Sequence, residues 1–365
     1  MKICFLLPGS SPVPTGGTKN IYEHANRLAA KGHSVTIVHA AYVTRQCGVQ
    51  GVLRAVASYF LNRIGLMQWR PDSWFQIDPQ VDLQWAFSLA PGSVSDGDAV
   101  VATSWQVAEW VQEYPSSKGR RFYFAMDFER FMEASPELRS RIAANFCAGL
   151  QTMVISPAGQ MMIAENGGSV PALVPCALDF TVYNLRNDIN AFSRTKIGFP
   201  VRPERHKATE DAVKALEAVR ARPGFNGTVW AFGGERPVYL PEWVEYHTRP
   251  TDEELAQLYN LTRIFVVPSL YEGWGLPGSE AMACGAALVS TDNGGVRAYA
   301  EHGKTALLTP VSRPDVLADA VSSLITDDDY RLQIAQAGYD HIQRFTWENA
   351  SEALENCLLK GSEGR

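Results

Sequence analysis

Six cysteines are scattered through the chain (Cys4, Cys47, Cys147, Cys176, Cys284, Cys357), and none forms a CxxC pair. A zinc or disulfide framework is therefore not expected, and a reducing, cytoplasmic setting is the simplest reading. No apolar run approaches the roughly 18–20 residues that a membrane span requires. The opening MKICFLLPGSSP is interrupted at Pro8 after a short apolar stretch. That stretch is too short for a secretory signal core and suits a first strand. Internal repeats and low-complexity tracts are missing as well. Positive charge is not in excess: 33 Lys and Arg face 39 Asp and Glu, a net charge of −6. That balance gives no support to a general nucleic-acid binder.

What is present is a chain of 365 residues, 46% hydrophobic and 20% charged, the composition of a soluble globular protein with two domains of ordinary size. Strand-like apolar runs alternate with amphipathic helical stretches along its length, which predicts parallel α/β sheets with ligands at the strand C-termini.

The most informative stretch is PSLYEGWGLPGSEAMACG, residues 268–285, preceded by the apolar run Arg263–Val267. The run reads as a buried parallel strand. Gly273 and Gly275 let the backbone turn sharply and approach a ligand closely, and Pro277 suits the first turn of a helix. A helix N-terminus offers N–H groups and the positive end of a dipole to a phosphate. The carboxylates of Glu272 and Glu280, with seven residues between them, can each accept two hydrogen bonds from sugar or ribose hydroxyls. Strand, glycine loop and helix start flanked by two carboxylates describe a pocket for a sugar nucleotide. The plain alternative is an ordinary βα turn with one capping and one solvated Glu.

This segment resembles the E-x7-E region of retaining glycosyltransferases of the GT-B fold, in particular family 4. The resemblance implies two Rossmann-like domains facing each other across a cleft, residues 1–172 for the acceptor and 173–345 for the donor. A last helix, about 346–365, would return to the first domain. It implies that Glu272 contacts the donor sugar and Glu280 holds the ribose. Family members also carry an Arg and a Lys five apart on the donor diphosphate, and Arg202 and Lys207 match that spacing. Two fixed cations suit a leaving diphosphate in a transferase that uses no metal or other cofactor. The amides of Gly17, Gly273, Trp274, Gly275 and Leu276 would assist them, and Arg249 would stack on the nucleobase. Arg205 could replace either cation, and a solvated basic loop is the bland reading. No Asp-x-Asp pair is placed to bind a metal: Asp96-Gly97-Asp98 reads as a turn, and Asp327-Asp328-Asp329 as a helix end.

In the first half, a strand over residues 2–7, a loop to Gly17 and a helix capped by Thr18 make a βαβ unit whose glycines do not match the dinucleotide fingerprint. The resemblance implies that Gly16-Gly17 faces the diphosphate. Residues 121–129 read as a strand running into a polar tip, where the family often has His-Asp; here Met126 stands in the His position and Asp127 and Glu129 remain. An apolar residue there suits a 6-deoxyhexose, and Asp127 is the candidate base for the acceptor hydroxyl. Residues 52–75 combine an amphipathic pattern with Arg54, Arg63, Arg70 and several aromatics. They could lie on an anionic membrane or meet a lipid-linked acceptor; the alternative is a core-facing helix with an aromatic loop. Val174–Asp179 resembles the family's interdomain linker. Ala298 stands where the family usually has Glu.

The expected reaction is glycosyl transfer, with retention, from a nucleotide diphosphate sugar to a hydroxyl of a glycan or lipid-linked glycan, in surface polysaccharide assembly. A nucleotide-sugar 2-epimerase of the same fold and a non-catalytic binding relative are the alternatives. Nothing resembles the lysine motif of a pyridoxal phosphate phosphorylase.

Overall fold

Parallel strands buried on both faces read as continuous apolar runs, and each needs a crossover, usually helical, to reach the next. The computed structural model describes residues 1–360 apart from Pro14, Gln46, Cys47, Asp127, Pro223, Gly224 and Asn226, and it contains two such sheets. The chain divides into two units: Met1–Cys176 with the segment from Trp347 onward, and Ala177–Thr346.

The first unit holds β1 (Lys2–Pro8), β2 (Ser34–Tyr42), β3 (Asp82–Ser88), β4 (Ala99–Ala102), β5 (Arg120–Ala125), β6 (Gln151–Val154) and β7 (Ala172–Leu173). They form one parallel sheet in the order β3-β2-β1-β4-β5-β6-β7. Its helices are α1 (Gly16–Ala30), α2 (Gly48–Arg63), α3 (Trp105–Val111), α4 (Phe128–Glu133), α5 (Pro136–Ala144) and α6 (Pro157–Glu165). The α1 cap differs from expectation: Thr15, not Thr18, takes extended backbone angles and accepts the Thr18 amide, so Gly16 and Gly17 lie inside the first turn. The shorter loop wins because Thr15 presents its hydroxyl to the same orphan amides one turn earlier. The polar tip after β5 is the start of α4, with Glu129 in its first turn. Of the α2 side chains, only those of Ala55 and Asn62 are buried.

The second unit holds β8 (Lys196–Pro200), β9 (Thr228–Gly233), β10 (Val244–Thr248), β11 (Thr262–Val267), β12 (Ala287–Thr291) and β13 (Leu307–Thr309), parallel in the order β10-β9-β8-β11-β12-β13. Its helices are α7 (Thr209–Arg220), α8 (Asp252–Asn260), α9 (Leu276–Ala283), α10 (Pro314–Thr326) and α11 (Asp328–Ile342). The final helix, α12 (Trp347–Lys360), packs in the first unit, where Leu354 and Leu358 join the core and Glu355 pairs with Lys31 and His33.

Both sheets start in the middle, run outward one way, then return and run outward the other way. The loops after β8 and β11 therefore leave neighbouring strands in opposite directions, which opens a crevice at their C-terminal ends.

Candidate donor site

The second unit's crevice is built from the loop 201–208 after β8 and the loop 268–275 after β11. Loop 201–208 is closed by Thr209, whose hydroxyl accepts from the Arg202 amide (3.2 Å) and donates to the Arg202 carbonyl (3.1 Å). It ends in a single 3₁₀ turn, Arg205–Lys207, followed by Ala208 at φ 47°. The two loops are tied together: the Leu270 amide donates to the His206 carbonyl (2.7 Å), and the His206 and Tyr271 rings stack with centroids 5.0 Å apart.

That tie brings Lys207 to Glu272. The Lys207 Nζ lies 2.8 Å from Glu272 Oε2, and Ser269 Oγ donates to Glu272 Oε1 at 2.7 Å. Glu272 is only 6% exposed, so its charge is held by an ammonium and a hydroxyl rather than by water. An ammonium has three N–H donors, and one is used here, so donor capacity remains for an anionic ligand. The backbone at Glu272 is fixed too, its amide donating to the Asn293 carbonyl at 3.0 Å.

Past Glu272 the chain turns through Gly275, at φ 93°, into α9. No side chain caps α9, and Pro277 sits in its first turn, so the helix start and the orphan amides of that turn open onto the loop. The Tyr299 hydroxyl holds the Gly275 carbonyl at 3.0 Å. One turn along, Glu280 is half-buried and accepts from the Tyr259 hydroxyl of α8 at 3.2 Å. Burial, then the nearby Glu280 charge, pushes the Tyr259 phenol well above its usual range, so it stays protonated and remains a donor.

Other expected residues are placed differently. Arg202 is half-buried, its guanidinium donating to the Val201 (2.9 Å) and Phe232 (3.3 Å) carbonyls and lying 5.0 Å from the Phe232 ring centroid. It shares the loop of Lys207 but braces the ends of β8 and β9. The Trp274 side chain is buried against Tyr299 and Phe345, with its indole N–H on Ser279 (3.2 Å). Only its backbone can serve a ligand. Arg249, just past the end of β10, is exposed at φ 47°, and its amide donates to the carbonyl of Gly233 at the end of β9 (2.7 Å). Ser269, Tyr259, Thr209 and the His206–Tyr271 stack were not singled out from sequence. Only Ser269, three residues before Glu272, carried a local signal.

In the first unit, a Cβ on Gly17 would lie 3.9 Å from the Met126 terminal methyl, so these two neighbour each other where β5 ends and α1 begins. Asp127 lies outside the described residues. The remaining acidic clusters have local partners: Asp96 binds Lys118 and Ser117, Asp98 the Lys2 amide, Asp327 caps α11, and Asp328 pairs with Arg263 and Arg331. Among the described residues no three His, Cys, Asp or Glu side chains are grouped as a metal site.

Two doubly wound units, the second with an acid–base pair at its switch point, define the GT-B class. Solved structures agree over the whole chain. Sucrose-phosphate synthase from Thermosynechococcus elongatus superposes with a TM-score of 0.72 at 17% identity, over 100% of both chains. The Anabaena protein HepE, solved with UDP and glucose, gives 0.72 at 17% identity, over 99% of this chain and 100% of that one. Residues 239–341 match the family model "Glycosyl transferases group 1", a span that holds Glu272 and Glu280 but not Lys207. The D-inositol 3-phosphate glycosyltransferase of Corynebacterium urealyticum is 33% identical over 175 residues, which is 43% of this chain and 41% of that protein. The chain spans about half the length or less of the relatives of that name. Residues 239–341 are thus similar to group 1 glycosyltransferases, and the two-sheet architecture is that of the GT-B fold.

Proposed function

We propose that the protein is a retaining glycosyltransferase that moves a hexosyl or deoxyhexosyl group from a nucleotide diphosphate sugar to a hydroxyl of a glycan or glycolipid. The observation that carries the reading is the 2.8 Å pair of Lys207 and buried Glu272 at the β8/β11 switch point. Lys207 neutralises the diphosphate as charge develops on the leaving group, and the α9 N-terminus adds its dipole. Glu272 accepts from hydroxyls of the donor sugar and stabilises positive charge at the anomeric carbon. Glu280, set by Tyr259, accepts from the ribose. Arg202 acts by holding the loop and adds its field to the phosphate site. The leaving phosphate takes the acceptor proton on the same face, which gives retention without a metal.

The relatives' name, an inositol phosphate glycosyltransferase, and a neighbour solved with UDP and glucose support a sugar nucleotide donor, with UDP-hexose favoured. Met126 beside Gly17 keeps dTDP- or GDP-6-deoxyhexoses in the test set. The experiment incubates the full chain with UDP-, GDP- and dTDP-sugars and a panel of glycan and glycolipid acceptors, in buffer containing EDTA. The anomeric coupling of the product is then read by NMR. Transfer with the donor's own anomeric configuration is the expected result. Donor isomerised without any acceptor would indicate the epimerase, and inversion or loss of turnover in EDTA would refute the mechanism.

A further inference from the structure

Helix α2 carries an apolar stripe that nothing in its own unit covers. Val49, Leu53, Val56, Phe60 and Ile64 recur at helical spacing, and the chain continues into Leu66. Val49 is 77% exposed, Leu53 62%, Phe60 57%, Ile64 64% and Leu66 71%, while the opposite face buries Ala55 and Asn62. An amphipathic helix normally turns its apolar face inward. This one is mounted the other way round.

The charge around the stripe points to its occupant. Between Arg45 and Pro71 there are four arginines and no acidic residue, in a chain whose net charge is −6. Arg45 and Arg70 are paired with Glu113 and Asp72. Arg54 and Arg63 fall on either side of the stripe and have no acidic partner among the described residues; Arg63 donates to the Tyr59 hydroxyl at 2.6 Å. Long basic side chains flanking an exposed apolar face can bury their stems while their charged heads meet phosphates. A second copy of the chain is a poorer fit, because a two-fold contact through this face would oppose the same arginines. No helix among the described residues is long and apolar enough to cross a membrane, so the contact is with a surface.

We propose that α2 docks the protein on an anionic lipid surface, with Leu53, Phe60 and Ile64 entering the interface and Arg54 and Arg63 binding lipid phosphates. This does not rest on the catalytic reading.

The test is co-sedimentation of the full chain with phosphatidylcholine vesicles, and with vesicles in which about a third of the lipid is phosphatidylglycerol. The wild type is expected to bind the anionic vesicles, with much weaker binding to neutral ones and release by salt. Arg54→Gln/Arg63→Gln should weaken binding on the order of tenfold or more. Leu53→Ser/Phe60→Ser/Ile64→Ser should abolish it, with circular dichroism and thermal transition unchanged because these side chains are exposed. Failure of the wild type to bind, equal binding by either variant, or equal affinity for both vesicle types would overturn the proposal. So would a wild-type dimer by light scattering that the triple variant converts to monomer, which would assign the face to self-association.

Discussion

Ser269 and Lys207 hold opposite oxygens of one buried carboxylate, Glu272, at 2.7 and 2.8 Å. One holder is neutral and comes from Glu272's own loop. The other is charged and comes from the neighbouring loop. Their separate removal therefore probes orientation and charge independently.

Ser269→Ala keeps the charge pair but frees one carboxylate oxygen. Steady-state kinetics should show kcat reduced ten- to a hundredfold, roughly 1.4–2.7 kcal/mol, with donor KM little changed. A rise in KM at constant kcat would mean that Ser269 serves binding and not the orientation of Glu272.

Tyr259→Phe removes the donor to Glu280 and little else, since the phenol is buried among aromatic side chains. Nucleoside diphosphate affinity should fall about five- to tenfold, roughly 1–1.4 kcal/mol, with kcat at saturating donor retained. Unchanged affinity measured by calorimetry would remove Glu280 from the ribose site.

Gly295 lies against the backbone of the central loop. A Cβ there would sit 2.7 Å from the Glu272 carbonyl oxygen and 2.8 Å from the Trp274 amide, whereas one on Gly234 would meet nothing within 4 Å. Gly295→Ala should cost about 1–3 kcal/mol of stability and displace Glu272, and Gly234→Ala should be near neutral. Equal thermal transitions for the two variants would contradict this geometry.

His24 is fully buried between Phe124 and Trp347, and neither ring nitrogen has a hydrogen-bond partner among the described residues. Burial, aided by the nearby Arg27 charge, lowers its pKa from 6.5 to about 3. His39 is lowered by burial to about 4, with its hydrogen bond to the Gly9 carbonyl working the other way. As pH falls the unfolded chain takes up these protons first. The stabilising contribution is intact above about pH 6.5, shrinks below it, and for His24 is gone near pH 3. Each buried histidine should cost roughly 1.4 kcal/mol per pH unit within its window. Denaturant titrations of His24→Leu should show a shallower loss between neutral and acid pH. An identical slope in wild type and variant would refute the assignment.

The inner strands of the second sheet were legible because they are buried on both faces: Thr228–Gly233 and Ala287–Thr291 are almost uninterrupted buried runs. The edge strand Asp82–Ser88 was not, since it is half-buried and its Asp, Gln and Ser break the pattern. Glu272, Glu280 and Lys207 could be picked out from spacing and resemblance. That Arg202 turns to the Phe232 carbonyl, and that Trp274 is buried, depends on how β8, β9 and the turn at Gly295 pack, which local sequence does not encode. The period of α2 revealed a stripe but not its direction, because amphipathicity is the same whether the apolar face looks in or out.

The central claim is that Lys207 and Glu272 form a nucleotide diphosphate sugar site, and calorimetric titration of UDP, GDP and dTDP into the full chain tests it most directly. One of the three should bind with micromolar affinity, and Lys207→Ala should weaken that binding on the order of a hundredfold, about 2.7 kcal/mol, because a charge-assisted contact to phosphate is lost. Failure of all three to bind, or binding by Lys207→Ala equal to that of the wild type, would contradict the account.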